Sequence, residues 1–235
     1  MNWIFGRGIS IGCGLSWRVP EEWVATPREE TIEKIKLKLR KEMKAEYVDK
    51  SLLVNFIEQL SSRTSKDWCH QFITTNWDYL LQEVILDLNL KEQPYWLRDS
   101  HVWHLNGSVE EFENNTNRSP FLLESDSYDI RKPAYEANVI FNRLIWGDIF
   151  YVVGMSFECK TDRYLLQSIN RVEDDLPIGE SYWFLINPDK NALEVSSTRI
   201  KRAMPRAKVY KAPITLEQWI GSGMEGLVNL GVFSF

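Results

Sequence analysis

Cysteine is scarce in this chain. The three present, Cys13, Cys69 and Cys159, are far apart and odd in number, and no pair has metal-ligand spacing. That argues against a disulfide framework and a zinc site, and it suits a reducing cytoplasm. Long apolar runs are missing too: none approaches the roughly 18 residues of a membrane span. The N-terminus also lacks a basic stretch followed by an apolar one of signal-peptide length. A soluble, cytoplasmic protein off the membrane is expected. Nor is there an excess of positive charge. A net charge of −5 and a pI of about 5.4 leave no electrostatic footprint for free nucleic acid. The one basic stretch, Lys34 to Lys44, interleaves with acids and reads as the solvated face of a helix.

What remains is an aromatic-rich globular chain of 235 residues, a length that suits one sheet covered by helices on both faces. Its ten Trp are scattered, not periodic, and read as core and interface filler. Strand-like and helix-like segments alternate. Met1–Phe5, Gln71–Thr74, His101–Leu105, Ile149–Val153 and Tyr182–Ile186 read as strands, and Ala207–Tyr210 as an edge strand. Helical spacing recurs at Ile32, Ile35, Leu39 and Met43, at Leu52 to Leu60, and at Leu80 to Leu88. Asp49 or Ser51 caps the second of these helices. Ala134–Trp146 and Arg163–Val172 also read as helices, whereas 110–132 is polar and reads as an insertion or mobile loop. No repeat or linker divides the chain, so residues 1–235 are expected to form one domain with helical segments over about 29–63. The alternation predicts an α/β fold with a doubly wound parallel sheet.

Such sheets bind ligands beyond the carboxyl ends of their strands. The chemically suggestive residues fall there: Gly6 to Ser10, Thr75 to Asp78, Asn106-Gly107, Gly154 to Ser156, and Asn187 to Asp189. Gly6 and Gly8 either shape a turn or let backbone N–H groups approach a phosphate. The third glycine of a dehydrogenase fingerprint is absent, since Ile11 holds its place. Asn76 and Asp78 either cap the next helix or present an amide and a carboxylate to a ribose or a water. His104 and Asn106 stand two apart on a short strand and so share a side. His104 is either a structural histidine or a general base. Asn187, before Pro188, either starts a turn or reaches a ribose hydroxyl.

Five segments together resemble one family. Gly6-Arg7-Gly8-Ile9-Ser10, running on to Gly14-Leu15-Ser16-Trp17, resembles the first loop of sirtuin-like proteins, Gly-Ala-Gly-Ile/Val-Ser with a Gly-Leu-Pro-x-Trp-like continuation. Thr74 to Leu81 is similar to the family's Thr-Thr-Asn-Tyr-Asp-x-Leu-Leu, and Leu105 to Ser108 falls where the family has Leu-His-Gly-Ser. Gly154-Met155-Ser156-Phe157, with Asp162 after it, is similar to Gly-Tyr-Ser-Leu of the NAD-hydrolysing branch, and Ile186-Asn187 to the adenosine-side Ile-Asn. Deacylating members carry a four-cysteine zinc module between the third and fourth of these regions. Ser108 to Asp148 contains no cysteine, so the resemblance implies the zinc-free branch, with NAD as substrate and no metal. That branch cleaves NAD at the nicotinamide–ribose bond and depletes it in bacterial antiphage defence.

Carried over position by position, the resemblance puts the pyrophosphate on Gly6, Gly8, Ile9 and Ser10. Asn76 would position the ribose or the attacking water, with Asp78 in support. Gly154, Ser156 and Asn187 would hold the adenosine half. The family's catalytic His is Asn106 here, so His104 either takes over or only orients. Arg7 replaces the family's Ala and either meets a phosphate or blocks the site. A silent NAD- or ADP-ribose-binding subunit is the alternative, then a scaffold for protein contacts. About twenty-five residues follow the last expected strand, including an apolar tail from Val228. A sensor is therefore expected on a separate regulatory protein, or control through self-assembly. Hydrolysis and cyclisation both remain open.

Overall fold

Strand β1, Asn2–Phe5, is buried along its whole length, as suits the middle of a parallel sheet covered on both faces. The computed structural model describes residues 1–15, 19–63, 70–88, 102–109, 121–127, 129–131, 149–160, 162–163, 165–166 and 181–224. Around β1 lie β2 (Gln71–Thr74), β3 (Val102–His104), β4 (Ile149–Val153), β5 (Tyr182–Ile186) and β6 (Lys208–Ala212). Their order is β3-β2-β1-β4-β5-β6, and every neighbouring pair is parallel. The fold is therefore α/β and doubly wound, as expected. Its topological switch point lies between β1 and β4, where the chain changes its direction of winding.

Pleating divides the strand residues between two cores. On one face Trp3, Tyr151, Phe184 and Tyr210 are successive in-register neighbours, with ring centroids 4.3, 5.0 and 4.9 Å apart. Against this face pack α3 (Arg28–Met43), α4 (Ser51–Arg63), α5 (Leu80–Asp87) and α7 (Leu216–Gly221), in company with the short α1 (Arg7–Gly12). On the other face Phe150 stacks on Trp183 at 4.2 Å, over α6 (Lys190–Ala203). A four-residue α2, Glu21–Val24, precedes α3. Trp3 and Trp183 are thus the large filler of opposite faces, as the scattered indoles suggested.

The helices form at the periodic segments expected from the sequence and in further places. α3 buries Thr31, Ile32, Ile35, Leu39 and Met43, and carries Glu29 and Glu30 in its first turn and Arg40 and Lys41 in its last, matching the helix dipole. Its charge run pairs internally, Lys34 with Glu30 and Lys36 with Glu33, as a solvated face does. Asp49, not Ser51, supplies the carboxylate at the entry to α4, accepting from Ser51 N and Ser51 Oγ. α6 has no counterpart in the sequence-based expectations. Two of its five buried positions are Ser196 and Ser197, while Asp189 caps it through Asn191 N and Ala192 N. α1 begins where an open glycine loop was expected, with Gly6 as its N-cap.

Part of one expected loop is closely packed. Of the polar stretch 110–132, residues 121–127 and 129–131 are described and they are packed: Leu122, Leu123, Asp126 and Arg131 are buried. Arg28 holds Asp126 through Nε and Nη2 at 2.7 and 2.9 Å and also reaches Phe121 O, while Phe121 stacks on Trp77. One half-buried ion pair and an aromatic contact pack the segment in spite of its polar composition. Residues 110–120, the expected helix Ala134–Trp146, most of Arg163–Val172, His101 and the C-terminal tail lie outside the described residues.

Candidate functional site

The switch point is closed by glycine. Gly6 N donates to Val153 O and Gly8 N to Gly154 O. A Cβ on Gly8 would lie 2.7 Å from Gly154 Cα, and one on Gly154, whose φ is +64°, would lie 2.8 Å from Gly8 Cα. Backbone meets backbone here, so these glycines are required by the contact between the loops after β1 and β4. Arg7 and Gly8 are exposed at its rim, whereas Ile9 and Ser10 turn inward.

Asn76 stands beside this contact. Its side chain does not cap α5. It crosses to the β1 loop, where Nδ2 donates to Gly6 O at 3.1 Å and to Ser10 Oγ at 2.8 Å. With both amide protons in use, the orientation of the amide is fixed. Oδ1 makes no hydrogen bond among the described residues, and it is not one of the buried unpartnered atoms. Asn76 therefore presents a preorganised acceptor at the end of β2. The backbone beneath it is held as well: Asn76 N donates to Thr74 Oγ1, and Thr74 Oγ1 donates to Phe5 O.

Asp78 lies behind Asn76. Ser10 Oγ donates to Asp78 Oδ2 at 2.6 Å, and Leu80 N reaches Asp78 Oδ1 at 3.3 Å, so Asp78 both supports the site and opens α5. Burial raises the Asp78 carboxyl, and the bonds from Ser10 and Leu80 pull the other way. Burial, then the charges of Asp78 and Asp49, pushes the nearby Cys13 thiol up to about 12, which leaves no thiolate for chemistry at neutral pH.

His104 and Asn106 bond to successive carbonyls of the same segment. Asn106 Nδ2 donates to Thr75 O at 2.7 Å, and His104 Nδ1 lies 3.3 Å from Asn76 O. Both are buried. Burial drives the His104 imidazole down to about 4, against the opposing bond to Asn76 O. At neutral pH His104 is therefore uncharged and sits behind the Asn76 backbone.

The adenosine-side candidates are joined more loosely. Asn187 Nδ2 donates to Met155 O at 3.4 Å while Oδ1 accepts Asp189 N, so the turn reading of Asn187 holds. Ser156 Oγ donates to Glu158 at 3.2 Å. The sequence reading assigned no role to Asp162 or Thr75. The Asp162 carboxyl is pushed up to about 6, first by burial, against hydrogen bonds from Cys159 and Thr75. Its signal was a single acid ahead of the buried pair Leu165 and Leu166. Among the described residues no group of three or more His, Cys, Asp or Glu side chains could hold a metal ion. Among them, too, no helix is long and apolar enough to cross a membrane.

Fold and site together define a doubly wound α/β protein with a buried polar cluster at its switch point. No protein-family model matches the chain, and no curated protein matches it.

Proposed function

We propose that this chain is a zinc-free sirtuin-like NAD hydrolase that cleaves the nicotinamide–ribose bond and depletes NAD in antiphage defence under a separate partner's control. The observation that carries the proposal is the pinned amide of Asn76, whose free Oδ1 stands at the carboxyl end of β2 next to the switch point. In this reading Oδ1 accepts from a ribose hydroxyl or from the attacking water. As the C–N bond breaks, its electron pair leaves with nicotinamide, water oxygen bonds to the anomeric carbon, and the water's proton passes to solvent. Such a dissociative step draws mainly on placement and electrostatics. Because Gly6 N and Gly8 N are engaged with β4 and its loop, exposed Arg7 is the side chain proposed to meet the pyrophosphate. Gly154, Ser156 and Asn187 are proposed for the adenosine half.

A silent NAD- or ADP-ribose-binding subunit is the second reading. It is favoured by the placement of His104 behind the Asn76 backbone and of Asn106 on the Thr75 carbonyl. Nicotinamide release and NAD binding by calorimetry separate the two. The hydrolase releases nicotinamide with its partner present, and Asn76→Ala, assayed well below its melting temperature, lowers the rate by about a hundredfold or more. Binding without release in every condition selects the silent subunit. Neither binding nor release overturns both.

A further inference from the structure

Beneath Asn76 lies a small cavity of about 10 Å³, lined on its polar side by Ser10, Thr74, Asn76, Asp78 and His104. That is the volume needed to seat one water and nothing larger. Wholly apolar cavities of such size stay dry, whereas a water is held where two to four polar groups converge. Five do so here. One of them has an unmet requirement: His104 Nε2 is buried and has no hydrogen-bond partner, and His104 is 3% exposed.

The tautomer follows from the other nitrogen. The Asn76 carbonyl can only accept, so the proton is on His104 Nδ1 and Nε2 carries a lone pair. That lone pair needs a donor. Ser10 gives its hydroxyl proton to Asp78, Asn76 gives both amide protons to Gly6 O and Ser10 Oγ, and Thr74 gives its proton to Phe5 O. The protein's own donors around the cavity are thus engaged elsewhere, while acceptors remain. A molecule with two protons to give, and of water's size, answers both conditions.

We propose that this cavity is a binding site for one structural water, which donates to His104 Nε2 and to the Asp78–Ser10 pair. The water closes a ring of hydrogen bonds running from His104 to Asn76 and through Ser10 and Asp78 back to the water. His104 then acts as a positioning residue: it holds the Asn76 backbone through Nδ1 while the ring holds the Asn76 amide. This inference does not depend on the NAD reading, and its test needs no turnover.

A crystal structure of the full chain at a resolution that orders internal waters, paired with ¹⁵N NMR of the histidine rings, tests it. The expected result is one water within hydrogen-bonding distance of His104 Nε2 and of Asp78 or Ser10, with Nδ1 protonated and Nε2 unprotonated at neutral pH. His104→Phe, which keeps the ring shape and removes both nitrogens, is expected to lose that water while Ser10 still bonds Asp78. A dry cavity in the wild-type chain overturns the proposal, as does a proton on Nε2. So does a water retained in the same place in His104→Phe. Should that variant fail to fold, the wild-type density and ring shifts decide alone.

Discussion

Asn76 and Asn106 are both amides at the ends of neighbouring strands, but they do different work. Asn76 Nδ2 ties two loops together and leaves Oδ1 to offer, whereas Asn106 Nδ2 satisfies the Thr75 carbonyl. Asn106→Ala should therefore behave as a structural change: removing a buried donor costs about 1–3 kcal/mol, read as a lower urea midpoint with an unchanged slope. An unchanged midpoint would mean that the bond from Asn106 to Thr75 O contributes nothing to stability. The sequence could place both amides at strand ends, because short continuous apolar runs stop just before them. It could not show which was pinned, since the partners of Asn76 lie 66 and 70 positions away. Asp78 was legible in both of its weighed roles at once, support and helix start. Asp162 was not, because the burial that raises its carboxyl comes from long-range packing.

Among the elements, the switch-point clamp was legible as glycine, with a turn and a phosphate cradle both left open. Gly-x-Gly after a strand suggests an open phosphate cradle, and here it lets α1 begin at once while its backbone lies on Gly154. Gly8→Ala should destabilise by about 1–3 kcal/mol, the usual cost of forcing atoms into a packed contact. The atoms it meets are backbone and cannot swing aside. Gly221→Ala is the internal control. A Cβ there has open space within 4 Å at the end of α7, so the substitution should stabilise by about 0.4–1 kcal/mol by restricting the unfolded chain. Paired thermal melts check both, and a Gly8→Ala protein as stable as wild type would remove the clamp. The strands were readable because parallel central strands are nearly continuous apolar runs. α6 was passed over although its buried face, with Ser196 and Ser197 among apolar residues, recurs at helical spacing. The packing of 121–131 depends on Arg28, nearly a hundred positions away, and leaves no local trace.

Over the whole molecule, two kinds of buried titratable group pull stability in opposite directions with pH. His104 and His70 are held down by burial, from an ordinary value of 6.5 to about 4 and about 3. Below 6.5 the unfolded chain binds protons that these folded imidazoles refuse, so their contribution is complete above that pH and is lost as pH falls. Asp162 is pushed up by burial from 3.8 to about 6, and between those values the folded chain keeps a proton that the unfolded chain has released. Its contribution therefore falls as pH rises through that window, and Asp78, raised by burial as well, acts in the same sense. Asp162→Asn removes one opposing term and leaves the histidines. In urea titrations between about pH 4 and pH 7, its unfolding free energy should rise more steeply with pH than wild type up to about pH 6, by about 1.4 kcal/mol per pH unit. The gap between the two proteins should reach at most about 3 kcal/mol near pH 6 and stay level above it. A gap that is constant across the whole range would mean that Asp162 keeps an ordinary carboxylate's behaviour, and that the loops after β2 and β4 leave it open to water.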